Sequence, residues 1–89
     1  MAIVTAFQIA GLKIWFWSND HEPPHFHVMR KGEWELKVSF MLASSEMIEV
    51  LGDAGPSQKV LKNLIQLTEL HRLELLEQWH RIRESEAEK

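Results

Sequence analysis

Polar and apolar residues alternate along the first half of the chain and change to a helical spacing in the second. From Gly11 to Trp17, Leu12, Ile14 and Phe16 alternate with Lys13, Trp15 and Trp17. Such period-two alternation of β-branched and aromatic residues predicts a pleated strand. Both of its faces are largely apolar, which places it inside a sheet. Residues Ile3 to Ile9 predict a preceding edge strand. Ser18-Asn19-Asp20-His21-Glu22-Pro23-Pro24 interrupts the pattern with turn formers, and a residue before proline avoids the α region. A strand resumes from His25 to Arg30. Another is predicted from Glu33 to Phe40, with Trp34, Leu36, Val38 and Phe40 on one face and Glu33, Glu35, Lys37 and Ser39 on the other.

The connection between these two strands sets which face the histidines occupy. A three-residue loop, Arg30-Lys31-Gly32, supplies a glycine where such loops need a left-handed residue. That register sets Val28 opposite Trp34, Phe26 opposite Leu36, His27 opposite Glu35 and His25 opposite Lys37. It matches apolar with apolar. A two-residue loop would instead turn both histidines toward the Trp34/Leu36/Val38 face.

Met47 to Leu51 predicts a short last strand, and Gly52-Asp53-Ala54-Gly55 a turn. Pro56 suits a helix start, with Gly55 or Ser57 as the cap. A helix is predicted over about 56–83. At about 100° per residue, Val60, Leu61, Leu64, Leu67, His71, Leu75, Trp79 and Ile82 share one side of it. Arg72 and Gln78, with the glutamates around them, read as a solvated face. The charged tail Glu84 to Lys89 is expected to fray. The whole reads as one α+β domain over 1–89. A small antiparallel sheet of three to four strands, spanning about 3–51, packs against one long C-terminal helix.

Composition narrows the roles open to such a domain. With 89 residues, 45% of them apolar, the chain can build one modest core and has no room for a second domain. Cysteine is absent, which excludes disulfides, thiolate metal sites and a cysteine nucleophile. No early stretch has the layout of a secretory signal, and no apolar run approaches the ~20 residues of a membrane span. The expectation is a cytoplasmic protein with no membrane contact. The net charge is −3. Nucleic-acid binders carry a basic excess or stripe, and only Arg30-Lys31 and the Lys13/Lys37 pair offer one here. A small protein partner or a homodimer is expected, rather than duplex nucleic acid.

One stretch carries candidate chemistry. Three of the five histidines lie within the seven residues His21 to His27. His25 and His27 are two apart on a strand and so project from one face. Two imidazoles so placed can ligate one metal ion, and His21, with Asp20 or Glu22, could fold back across Pro23-Pro24 as a third ligand. Three protein ligands with a fourth position left to water is the arrangement of a catalytic zinc site. Without metal, His25 or His27 could act as a general acid/base, because imidazole titrates near neutrality. Structural histidines, hydrogen-bonded to carbonyls or to Glu35, are the third alternative. His71 sits where the helix pattern expects leucine. It is either a satisfied core histidine or, under the other hairpin parity, a third member of the cluster. Trp15 and Trp17 share a strand face and could form an aromatic platform, or pack beneath another segment or subunit. Trp34 and Trp79 read as core.

The run from Gly11 to His27, with its Asp20-His21-Glu22-Pro23-Pro24-His25-Phe26-His27 core, resembles the opening of the bacterial domain-of-unknown-function family 4160. Glu69-Leu70-His71-Arg72, with Glu74-Leu75-Leu76-Glu77 and Trp79, resembles that family's closing segment. The resemblance marks Asp20, His21, Pro23, Pro24, His25, His27, His71 and Trp79, and departs most between Met29 and Asp53. It implies a small stand-alone protein, often encoded beside another small protein, of a kind suspected to form toxin–antitoxin-like pairs. It implies no established activity. The expected function is therefore an interaction module, one half of a toxin–antitoxin-like or regulatory pair. The alternative is a small hydrolase or nuclease using His21, His25 and His27, or His25 and His27 with His71, with or without zinc.

Overall fold

Each alternating stretch becomes a strand, and each strand pairs with the next along the chain. The computed structural model describes residues 1–19 and 21–87. Its strands are β1 (Ala2–Ile3), β2 (Lys13–Phe16), β3 (Phe26–Arg30), β4 (Trp34–Val38) and β5 (Ile48–Val50). They form one antiparallel meander in the order β1-β2-β3-β4-β5. Two helices follow, α1 (Gln58–Leu70) and α2 (Arg72–Ala87). The class is α+β with an antiparallel sheet, as expected. The count differs: five strands and two helices, where the sequence pattern predicts three to four strands and one helix.

The N-terminal edge strand is far shorter than the expected 3–9. Val4 N–H still bonds to the Ile14 carbonyl at 3.1 Å, but at Thr5 the backbone N–H turns to the Gln78 side chain at 2.9 Å. The Gln8 amide donates back to the Val4 carbonyl at 2.6 Å. The segment leaves the ladder because Val4 and Phe7 both enter the core, a demand that strict alternation cannot meet.

The β3–β4 hairpin keeps the expected parity and shifts the register by two residues. Val28 faces Leu36, Phe26 faces Val38 and His27 faces Lys37. The loop is Lys31-Gly32-Glu33, closed by a 2.9 Å bond from Glu33 N–H to the Arg30 carbonyl, with Gly32 at φ 78°. This register draws Arg30 and Trp34 into the ladder as a fifth pair while still matching apolar with apolar. An even shift leaves every side chain on its original face.

That face holds the core. Ile14, Phe16, Phe26, Val28, Leu36 and Val38 are all buried on one side of the sheet, under Leu64 of α1 and Leu75 and Trp79 of α2. Phe16 packs edge-on against Phe26, Phe40 and Trp79. Ser57 caps α1, its hydroxyl accepting from Val60 N–H at 3.3 Å.

The helical pattern is continuous in sequence, but the backbone turns at His71 (φ −105°, ψ 17°). Helix-type bonds span the turn on either side, His71 N–H to Leu67 O and Leu75 N–H to His71 O, both 3.0 Å. Side chains supply the reason for the bend. His71 stacks on Phe7 with ring centroids 5.7 Å apart, and its Nδ1 lies 2.9 Å from the Glu74 carboxylate. Arg72 Nε donates to the Phe40 carbonyl at 2.7 Å. The junction is thus held by Phe7 of the β1–β2 connection and by the turn after β4, while Leu70 and Leu73 are left outside, 75% and 79% exposed. α2 continues to Ala87, into the segment read as a charged tail. Among the described residues, no helix is long and apolar enough to cross a membrane.

Candidate functional site on the helix-free face

Residues on the other side of the sheet lie outside the core cluster that Leu64, Leu75 and Trp79 complete. Pairing puts Ile3, Trp15 and His27 in one row across β1, β2 and β3, with Lys37 and Glu49 continuing it on β4 and β5. Residues directly opposite on antiparallel strands share a face, so these side chains are neighbours. Trp15 and His27 stack, with centroids 5.4 Å apart and planes 24° apart. Trp17 stands edge-on to Trp15 at 5.9 Å, and the Lys13 ammonium lies 5.1 Å from the Trp15 ring centroid. His27 Nδ1 is 3.8 Å from the Glu35 carboxylate, one step diagonally across the ladder.

His25 precedes β3 and lies where the two faces meet. Its ring centroid is 5.3 Å from that of His27 and 5.7 Å from that of Trp79. Its Nδ1 lies 2.8 Å from the Pro23 carbonyl, which can only accept. The proton therefore sits on Nδ1, and Nε2 is the basic nitrogen of the neutral ring. The bond depends on the turn through Pro23 and Pro24, whose Glu22–Pro23 peptide is cis. Arg83 closes this end of the site. Its guanidinium lies 3.6 Å from the Trp79 ring centroid and donates to the Ser18 carbonyl at 2.9 Å.

The structure thus brings His25, His27, Trp15 and Trp17 together and adds Trp79 and Arg83. His21 is exposed in the turn. His71 packs at the helix junction, where its ring contact is Phe7. The observed parity sets His27 on the face away from the helices. Among the described residues, no three His, Asp or Glu side chains converge as a metal-ligand set. Asp20 lies outside the described residues. The indole Nε1 atoms of Trp15 and Trp79 are buried with no hydrogen-bond acceptor among the described residues.

His25 and His27 are only 5% and 9% exposed, whereas Trp17 and Ile3 are 42% and 48% exposed. The histidines form the floor of the face, and the tryptophan and isoleucine stand exposed above it. The two cavities described lie elsewhere, along α1, and neither is lined by histidine.

Three further residues escape the sequence reading. Gln78 is buried: its amide donates to the Ile3 carbonyl at 2.8 Å, and its carbonyl accepts from Thr5 N–H and Oγ1. Arg72 anchors the helix junction. The helical pattern places both on a solvated face. A signal existed for Gln78, which lies three residues after buried Leu75 and adjoins Trp79, and so falls on the inward side. None existed for Arg72, whose acceptors are backbone carbonyls distant in sequence. Arg83 lies four residues beyond Trp79, which puts it within reach of that ring.

A comparison with protein families matches residues 11–80 to a domain of unknown function, DUF4160, and the chain belongs to that family. The match spans both the Pro-Pro turn with its two buried histidines and the helical segment through Trp79. No curated protein and no solved structure matches the chain.

Proposed function

We propose that this chain is a protein-interaction module, one half of a toxin–antitoxin-like or regulatory two-gene pair, and that its partner docks on the helix-free face of the sheet. The observation that carries this reading is the exposure of Trp17 and Ile3 around a buried Trp15–His27 floor. Large apolar side chains displayed on a rigid base are the usual anchors of a docking surface. The sheet edges support it less well, because β1 and β5 are two and three residues long and offer few main-chain bonds. The test is titration of the chain with any small protein encoded beside its own gene, the kind of partner that the family resemblance implies. Trp17→Glu is expected to weaken binding at least tenfold and leave the melting temperature unchanged. Equal affinity for the variant would reject this face as the docking surface.

A histidine-dependent hydrolase or nuclease is the second reading, with or without zinc. It is favoured by the 5.3 Å separation of the His25 and His27 rings and by the fixed proton on His25 Nδ1. Induced expression of the wild type beside the His25→Ala/His27→Ala variant, at equal soluble level, separates the two. Growth arrest by the wild type alone would favour the enzyme, and metal analysis would follow. Unimpaired growth with both would remove a potent free-standing toxin.

A further inference from the structure

The most exposed large apolar side chains are not on the sheet. Leu70 and Leu73 stand 75% and 79% exposed, one on each side of the helix junction, with Glu69, Glu74 and Glu77 around them. At the other end of α1 the chemistry is reversed. A groove of about 380 Å³ runs between α1, the β1–β2 loop and the end of β3. Ile9, Leu12 and Val60 give it an apolar floor, and Arg30, Lys59 and Lys62 give it a cationic rim. Lys59 and Lys62 enter no ion pair among the described residues. The first turn of α1 holds no acidic residue. Two lysines near a helix N-terminus face the positive end of the helix dipole, so an outside carboxylate there is favoured.

We infer that a second copy of this chain docks on α1, its Leu70 and Leu73 seated in this groove and its glutamates against Lys59, Lys62 and Arg30. The complementarity is two-fold by construction. On the solvent side of α1, positions 59, 62, 66 and 70 follow one another at three- and four-residue steps, and exposed Leu73 comes three residues later in α2, just past the turn at His71. A two-fold axis at Gln66, with the helices antiparallel, sets Lys62 against Leu70 of the second copy and Lys59 against its Leu73. The leucines lie along the lysine stems while the ammonium groups reach Glu69 and Glu77. The same contacts repeat on the other side of the axis, so the assembly closes at two. This surface is on the helical layer and leaves the helix-free face open, so the inference stands apart from the proposed function.

Sedimentation equilibrium of the full chain, from about 1 μM to about 1 mM, tests it. A monomer–dimer equilibrium is expected, weakening as salt rises. Leu70→Glu/Leu73→Glu should weaken the dimer at least tenfold with an unchanged circular dichroism spectrum. Lys59→Glu/Lys62→Glu and Glu69→Lys/Glu77→Lys should each weaken it alone, and an equimolar mixture of the two should dimerise again. A wild type that stays monomeric at about 1 mM would overturn the inference. So would a dimer indifferent to the leucine changes, or a charge-reversed mixture that stays monomeric.

Discussion

Among single residues, Gln78 shows how one polar side chain can decide where a segment goes. Its amide and carbonyl together satisfy the Ile3 carbonyl, the Thr5 N–H and the Thr5 hydroxyl. These bonds are part-buried and tie the segment to α2 where it leaves the ladder, and the buried amide of Gln78 itself needs such partners. Gln78→Leu is similar in size and removes all three contacts. It is expected to lower stability by about 2 kcal/mol in urea denaturation. A midpoint equal to wild type would mean that water replaces the amide without loss. His25 works by the same logic where the two faces of the sheet meet, since the Pro23 carbonyl sets which of its nitrogens carries the proton.

Among elements, the β3–β4 hairpin and the broken helix both respond to neighbours. The hairpin settles its register by adding a ladder pair, and its loop then depends on Gly32 at φ 78°. Space is not the constraint, because an added Cβ at Gly32 would meet nothing within 4 Å. The cost of Gly32→Ala is therefore conformational, about 1 kcal/mol. Thermal melts should show that loss for Gly32→Ala and almost none for Gly55→Ala, where φ is ordinary and the nearest atom is 3.4 Å away. Equal melting temperatures for the two variants would contradict the left-handed requirement. The helices divide at His71 because Phe7 and the Phe40 carbonyl hold the junction from the sheet side.

For the whole molecule, two layers leave two surfaces with different work. The helices bury one face of the sheet, and the other face exposes Trp17 and Ile3 around buried Trp15 and His27. Leucines on the helical layer divide accordingly. Leu64 is fully buried against the sheet, and Leu64→Ala should cost roughly 2–5 kcal/mol. Leu70→Ala, six residues on and 75% exposed, should change the stability of the monomer by less than about 0.5 kcal/mol. Denaturant midpoints at low protein concentration check both. A large loss from Leu70→Ala under those conditions would mean that the residue supports the monomer and is not a docking side chain.

By itself the sequence determined the α+β class and the core faces of β2, β3 and β4, and it narrowed the start of α1 to Gly55 or Ser57 and the face of His27 to the one that a three-residue loop implies. These follow from local rules: period-two alternation, helical spacing, capping and the parity of a hairpin loop. Only the tertiary structure decided the short β1, the two-residue register shift, the break at His71, the burial of Gln78 and the anchoring of Arg72. Each depends on a partner far along the chain, such as Ile3 for Gln78 or Phe40 for Arg72. Spacing within one segment reports which way a side chain points. It does not report which distant carbonyl, ring or strand end waits there, and those partners are fixed only when the two layers close on each other.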